Sequence, residues 1–134
     1  MRITRETDYA IVAATYLAEA DKPVSAAQIA EDSGLNGSLV SKVLKLLVRA
    51  DLLISKRGVY GGYQLKKNPE LISLLDIIVA IEGPMAINAC VDHDNPCDRK
   101  DDCDLAPHWR IINQKLYSSF SSITLLELLG QPKH

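Results

Sequence analysis

The sequence predicts a mainly α-helical protein with one small β-hairpin, arranged as a winged helix-turn-helix followed by a long C-terminal helix. Three observations predict this fold: two short helical segments joined by a glycine-containing turn, a glycine-rich basic hairpin directly after them, and an apolar stripe at helical spacing near the C-terminus. Of the 134 residues, 47% are hydrophobic and 5% are aromatic, so an aliphatic core is expected rather than disorder.

The chain divides into three predicted units. Residues 1–83 form the winged helix-turn-helix, residues 84–103 form a polar loop, and residues 104–134 form a C-terminal helix and tail. No apolar run approaches the roughly 18 residues of a membrane span, and no apolar segment of a signal peptide follows the first residues. We therefore expect a cytoplasmic protein with no membrane partner.

Three helices are predicted before the hairpin. The first covers residues 3–20, where apolar residues recur at helical spacing. Ser25 and Gln28 form a capping-box pattern at the start of the second helix, which ends near Gly34 because glycine adopts positive φ at low cost. Ser38 is the predicted cap of the third helix.

The following segment predicts the wing and a fourth helix. Residues 52–55 and 63–65 are β-prone and enclose a glycine-rich turn, and a hairpin placed after a helix-turn-helix is a wing. A helix over residues 74–82 is expected, opened by Ser73 and Asp76.

A last helix is predicted from Asp104, with Pro107 in its first turn, where a missing N–H costs little. Its apolar stripe follows steps of three and four, with Ser119 filling one position: Trp109, Ile112, Leu116, Ile123 and Leu126. Such a stripe on a terminal helix is either part of the core or a dimer seam, and the pattern leaves both interpretations open.

The distribution of charge favours a nucleic-acid partner, although the net charge of −2 argues weakly against one. Between positions 42 and 67 there are seven basic residues and a single acid, Asp51. Between positions 70 and 104 there are nine acids and two basic residues. The chain is therefore a basic module followed by an acidic one.

The candidate DNA-contacting residues lie on the polar face of the third helix and at the tip of the wing: Ser38, Ser41, Lys42, Lys45, Arg49, Arg57 and Gly58. The two serines and Lys42 occupy the early turns of the helix, the usual place for contacts to base edges. The later cations would lie nearer the phosphates. Arg57 at the wing tip suits a narrow minor groove. The alternative is a solvated helix face and a basic surface loop.

The chain has three cysteines, Cys90, Cys97 and Cys103, all in the acidic loop with the spacing C-x6-C-x5-C. An odd number of thiols in a reducing compartment indicates a metal site or redox chemistry rather than a disulfide framework. Structural zinc normally uses close C-x2-4-C pairs, so the wide spacing favours an iron–sulfur cluster. His93, His108, an aspartate or solvent could supply a fourth ligand.

Four features together carry a resemblance to a known family. They are Met1-Arg2-Ile3-Thr4 with Thr7-Asp8-Tyr9-Ala10, the wing Arg57-Gly58-x-x-Gly61-Gly62-Tyr63-x-Leu65, Asp76-Ile77-Ile78 through Ile81-Glu82-Gly83, and the cysteine triad. Over nearly its whole length the chain resembles the IscR/NsrR/RirA group of bacterial winged-helix regulators. The wing and the triad together are the most specific part of this likeness.

The resemblance implies a homodimer held by the C-terminal helix, which makes residues 104–134 the dimerisation unit. It also implies binding to palindromic promoter DNA and a [4Fe-4S] or [2Fe-2S] cluster on the three cysteines. IscR-like members place a histidine three residues after the third cysteine, where this chain has Ala106, with His108 two residues further on. NsrR-like members can use a first-helix carboxylate of the partner subunit, and Asp8 falls at the matching place.

The resulting interpretation is a dimeric DNA-binding transcriptional regulator, acting as a repressor, whose DNA affinity is controlled by an iron–sulfur cluster. The signal is left open among nitric oxide, iron, cluster supply and redox state. The alternative is a small metal or redox protein without specific DNA binding. An enzyme is disfavoured because the sequence shows no nucleophile–base set and no paired acids of a catalytic site.

Overall fold

The computed structural model describes residues 3–84 and 106–130. In chain order, its elements are α1 (Arg5–Glu19), α2 (Ala26–Ser33), α3 (Gly37–Arg49), β1 (Leu53–Lys56), β2 (Gly62–Leu65), a 3-10 turn (Pro69–Leu71), α4 (Leu74–Glu82), α5 (Ala106–Ser122) and α6 (Leu125–Leu129). The predicted mainly α fold with a hairpin wing is confirmed. Within the described ranges, no helix is long and apolar enough to cross a membrane.

An aliphatic core lies between the helices and the base of the wing. Its buried side chains include Ala10, Ala13, Leu17, Ile29, Val40, Val43, Leu44, Leu47, Leu53, Ile72, Ile77 and Leu125. The contribution of α1 is mostly alanine, which lets this central helix pack closely against α3 and α4. Because apolar burial is the main driving force of folding, this cluster fixes the rotation of each helix about its own axis.

The second helix begins with only half of the predicted capping box. The Ser25 hydroxyl accepts a hydrogen bond from the backbone N–H of Gln28 at 3.2 Å, as predicted. The Gln28 amide, however, donates to Asp32 at 2.8 Å instead of returning to the cap. Tyr16 of α1 donates to the same carboxylate, and this hydrogen bond raises the pKa of the Tyr16 phenol. Asp32 therefore ties α2 to α1.

The prediction that Ser38 caps the third helix is wrong. The helix begins at Gly37, and the side chain of Asn36 accepts a hydrogen bond from the backbone N–H of Leu39 at 3.1 Å. Asparagine is among the strongest N-cap residues, so the start of the helix moves two residues towards the N-terminus. The predicted end of α2 is confirmed, since Gly34 has a φ of 67°.

The wing is a two-stranded antiparallel hairpin, as predicted, with pairing from Leu53 opposite Leu65 to Lys56 opposite Gly62. Val24, between α1 and α2, exchanges two backbone hydrogen bonds with Tyr63 at 3.0 and 2.8 Å, which attaches the hairpin to the helices. The close approach depends on Gly62: a Cβ at that position would lie 2.5 Å from the Val24 carbonyl carbon.

The predicted fourth helix is confirmed with its bounds and its cap, because Ser73 and Asp76 form a reciprocal capping box. The C-terminal helix, however, is not continuous. It ends at Ser122, and residues 123–125, which lead into α6, form backbone hydrogen bonds with residues 72–74. Leu125 is fully buried as a result. The prediction of one stripe running on through Ile123 and Leu126 is therefore wrong.

We predict that Gly62→Ala destabilises the fold, because the added methyl would overlap the Val24 backbone and the glycine φ of 144° disfavours a side chain. Overpacking of this kind costs about 1–3 kcal/mol, which urea unfolding followed by circular dichroism would measure. Gly37→Ala is the matched control, since a Cβ there meets nothing within 4 Å. Equal stability of the two variants would contradict the close approach.

Candidate nucleic-acid interface

One face of α3 is apolar and buried, and the opposite face is polar and exposed. The buried side chains are Val40, Val43, Leu44 and Leu47, and the exposed ones are Ser38, Lys42, Lys45 and Arg49. The exposed positions are separated by four, three and four residues, which is the spacing of a single helical face. The predicted polar face is therefore present as one surface, with Ser41 half-buried at its edge.

The start of α3 leaves its first turns open to a ligand. Asn36 takes the capping role, so the Ser38 side chain is not needed to hold the helix end. The backbone N–H of Asn36 approaches the Tyr9 hydroxyl of α1 at 3.5 Å. The N-terminal end of α3, where base contacts are usual in such folds, is thus positioned by α1.

Lys42, in the middle of the candidate face, forms an ion pair with Glu6 of α1. The Nζ–Oε1 distance is 3.0 Å, and the two side chains are 58% and 38% exposed. The stability gained from such an exposed pair is small, but the carboxylate offsets part of the charge of the ammonium group. Glu6 could not be predicted from the sequence, because no local pattern links positions in two different helices.

The tip of the wing presents Arg57 to solvent, as predicted, beside Gly58 with its φ of 104°. Lys56 is also exposed. The acid of the basic segment, Asp51, is held 3.2 Å from Lys66, so it neutralises a cation away from both the wing tip and the face of α3. Asp51 therefore does not reduce the positive field of these two surfaces; on the face of α3, only Lys42 is paired in the part of the chain that the structure describes.

The residues expected to hold a cluster are only partly within the described ranges. The three cysteines and His93 lie outside those ranges. Asp8 is exposed in the first turn of α1, and His108 is exposed in the first turn of α5. Among described residues, no group of three or more histidine, cysteine, aspartate or glutamate side chains comes together. The cluster ligands therefore stay a prediction.

The first turn of α1 is also bonded to the end of α4. The buried Thr7 hydroxyl donates to Glu82 at 2.6 Å and accepts a hydrogen bond from the Thr4 hydroxyl at 3.2 Å. Glu82 is the last residue of α4, so this contact anchors the start of the segment that carries the cysteines. The helical turn that contains Asp8 therefore contacts the end of α4 through Thr7 and the candidate DNA face through Glu6.

Comparison with known proteins supplies a family. The family Rrf2, described as an iron-dependent transcriptional regulator, matches residues 3–131. The chain is 30% identical over 132 residues to the HTH-type transcriptional regulator IscR of Yersinia enterocolitica, covering 97% of this chain and 80% of that protein. It also resembles the structure of CymR, the global cysteine regulator of B. subtilis, with a TM-score of 0.78 and 28% identity over 96% of both chains. T. potens IscR has a TM-score of 0.70 and 27% identity, over 96% of this chain and 86% of that one.

We predict that Glu6→Gln increases affinity for random DNA, by no more than about fivefold given the weakness of exposed ion pairs. The change removes the partner of Lys42 and one repulsive charge. On random DNA, which offers Lys42 no specific base, the freed ammonium can neutralise a phosphate, so the salt slope should steepen by about one. Fluorescence anisotropy across a salt series would measure both quantities. Glu19→Gln, at the other end of α1, is the control for net charge; an identical effect of the two variants would rule out a local role for Glu6.

Proposed function

The chain belongs to the Rrf2 family of transcriptional regulators, and from this premise we propose that it is a cytoplasmic, dimeric repressor whose binding to promoter DNA depends on an iron–sulfur cluster. The observation that carries the proposal is the exposed cationic face of α3, which lies in one chain with a widely spaced cysteine triad. Cations on a recognition helix supply phosphate contacts. Thiolates supply the soft ligands that iron–sulfur clusters use.

The donor set fits a labile cluster. Cys90, Cys97 and Cys103 would be three ligands, and Asp8 of the partner subunit would be the fourth. Asp8 is exposed, so its carboxylate is accessible to another subunit. A carboxylate is a hard donor and holds cluster iron less firmly than a thiolate does. When bound, the cluster supplies a centre that nitric oxide, iron supply or redox state can modify.

The contacts of α1 support a route from such a site to DNA. Asp8 shares one helical turn with Thr7, which is bonded to Glu82, and with Glu6, which is paired with Lys42. A shift of this turn would therefore alter the environment of a cation on the candidate DNA face. DNA affinity would change without any direct contact between the signal site and DNA.

A second candidate is a regulator on the same scaffold whose signal relates to cysteine and needs no cluster. The likeness to CymR supports it, since that protein is named a global cysteine regulator. The two candidates share the DNA-binding surface. They differ in whether the purified protein contains iron and sulfide.

We predict that Lys42→Ala and Arg57→Ala each weaken operator binding by about 1–3 kcal/mol, the usual cost of losing a base contact. Lys45→Ala should instead weaken specific and random DNA alike and flatten the salt slope by about one, as expected for a phosphate contact. Gel-shift or anisotropy titrations would measure these effects. Lys115→Ala on α5 is the control for loss of a lysine. Wild-type binding by all three variants would show that the recognition surface is misassigned.

We predict that protein purified without oxygen is brown and contains iron and sulfide, and that replacing Cys90, Cys97 or Cys103 with alanine abolishes the colour.

Asp8→Ala should accelerate cluster loss and shift the absorption spectrum, whereas His108→Ala should have little effect. Positions 106 and 108 differ by roughly 200° around a helix, so His108 does not replace a ligand at 106. A colourless protein with stoichiometric zinc would contradict the proposal. A larger effect of His108→Ala than of Asp8→Ala would assign the fourth ligand to His108.

We predict that the protein sediments as a dimer and that Leu116→Lys disrupts it. Leu116 is half-buried on α5, and Ile112, one helical turn before it on the same face, is 41% exposed in the single chain. A charge on an apolar seam is costly to bury. Gln114→Lys adds the same charge about 200° away around the helix and should leave the dimer intact. A monomer that binds a full palindrome tightly would contradict the proposed assembly.

A further inference from the structure

Two apolar side chains at the tip of the wing are almost completely exposed. Val59 is 95% exposed and Tyr60 is 91% exposed, the highest values among the exposed large hydrophobic residues in the described ranges. A single exposed apolar residue needs no explanation. Two adjacent ones at the end of a projecting hairpin form a contact surface that the fold itself does not use.

The backbone holds these two side chains away from the protein core. The Gly61 N–H donates to the Gly58 carbonyl at 3.0 Å, which closes a turn with Val59 and Tyr60 at its two central positions. Next to that turn, a Cβ on Gly61 would lie 2.2 Å from the Lys56 carbonyl oxygen, so the strands stay in close contact up to the turn. The tip is therefore a narrow, firmly paired projection.

The surroundings of the tip indicate a polyanionic partner. Lys56 and Arg57 precede it and are exposed, and positions 52–69 contain no aspartate or glutamate. An apolar end on a cationic hairpin matches the minor groove of DNA, in which phosphates line the rims and sugars line the walls. An apolar patch made for a protein partner of ordinary charge would not require an acid-free hairpin.

We propose that Val59 and Tyr60 form an apolar wedge that enters the minor groove beside Arg57, and that Tyr60 makes the protein prefer a flexible A·T step at the wing-facing position of its operator. This inference rests on the DNA binding of the proposed function. It adds a specificity-determining residue outside α3.

The preference follows from the chemistry of the groove. A·T pairs present only acceptors there, whereas G·C pairs add an amino group that projects into the groove and obstructs an inserted side chain. Apolar side chains that enter a minor groove partly unstack a base step, and TA steps unstack most easily. The ring of Tyr60 supplies the insertion, so Phe should replace it better than Ala.

The wild-type chain first selects an operator from random DNA, and footprinting locates the base step that the wing contacts. The test then compares binding to two versions of that operator, one with a TA step and one with a GC step at this position. Tyr60→Ala should raise the Kd for the TA operator roughly tenfold and should change the Kd for the GC operator little. Its salt slope should be unchanged, because no cation is removed. Tyr60→Phe should bind almost as wild type, and Leu71→Ala, which removes another exposed apolar residue, should have no effect.

A second readout reports the insertion itself. Thymine at the wing-facing TA step should become reactive to permanganate, which oxidises unstacked thymines, when the wild-type protein binds, and should stay unreactive with Tyr60→Ala. Equal losses on both operators, or a permanganate-reactive thymine with Tyr60→Ala, would overturn the wedge while leaving DNA binding intact. If Tyr60→Ala changes the oligomeric state, the tip of the wing is a contact between copies of the chain, and the wedge is overturned. If the wild-type chain selects no operator, the failure lies in the DNA-binding premise.

Discussion

Burial of one aliphatic face of α3 decides what the rest of that helix can do. Val43, Leu44 and Leu47 are completely buried, and each residue turns the helix by about 100°. The polar face must therefore point outward. Rotating α3 by one residue would bring lysine towards the core, where an unpaired charge is costly, so the core itself holds the cationic surface in the position from which it can meet DNA.

The first turn of α1 uses the same rotation to point consecutive side chains in three directions. Thr7 enters the core and bonds to Glu82, Glu6 reaches Lys42 on α3, and Asp8 faces solvent. Consecutive residues of a helix cannot share a face, so one turn can join three parts of the protein. This arrangement links the end of α4, which precedes the cysteine-bearing segment, to the candidate DNA face without a long chain of contacts.

The C-terminal part of the chain is fixed to the winged helix by its return to the core. Residues 123–125 bond to residues 72–74, and Leu125 is fully buried. The helix α5 also packs against α4, so it is fixed both along its length and at its C-terminal end. In a dimer built on α5, the separation of the two DNA-reading helices would then be set by the fold, which matters because half-site spacing follows from that separation.

Local patterns by themselves determined most of the secondary structure, except the cap of α3 and the end of α5, and the composition of the candidate DNA face. The apolar spacing of the helices, the glycine-rich turn of the wing and the Ser73 and Asp76 cap all depend on residues close together in the chain, so they could be predicted. For the cluster, the sequence could predict only which residues are candidate ligands. The tertiary structure alone decided the pairing of Lys42 with Glu6 and the interruption of the C-terminal helix at Ser122. Both depend on contacts between distant segments, which the periodicity of one element does not encode.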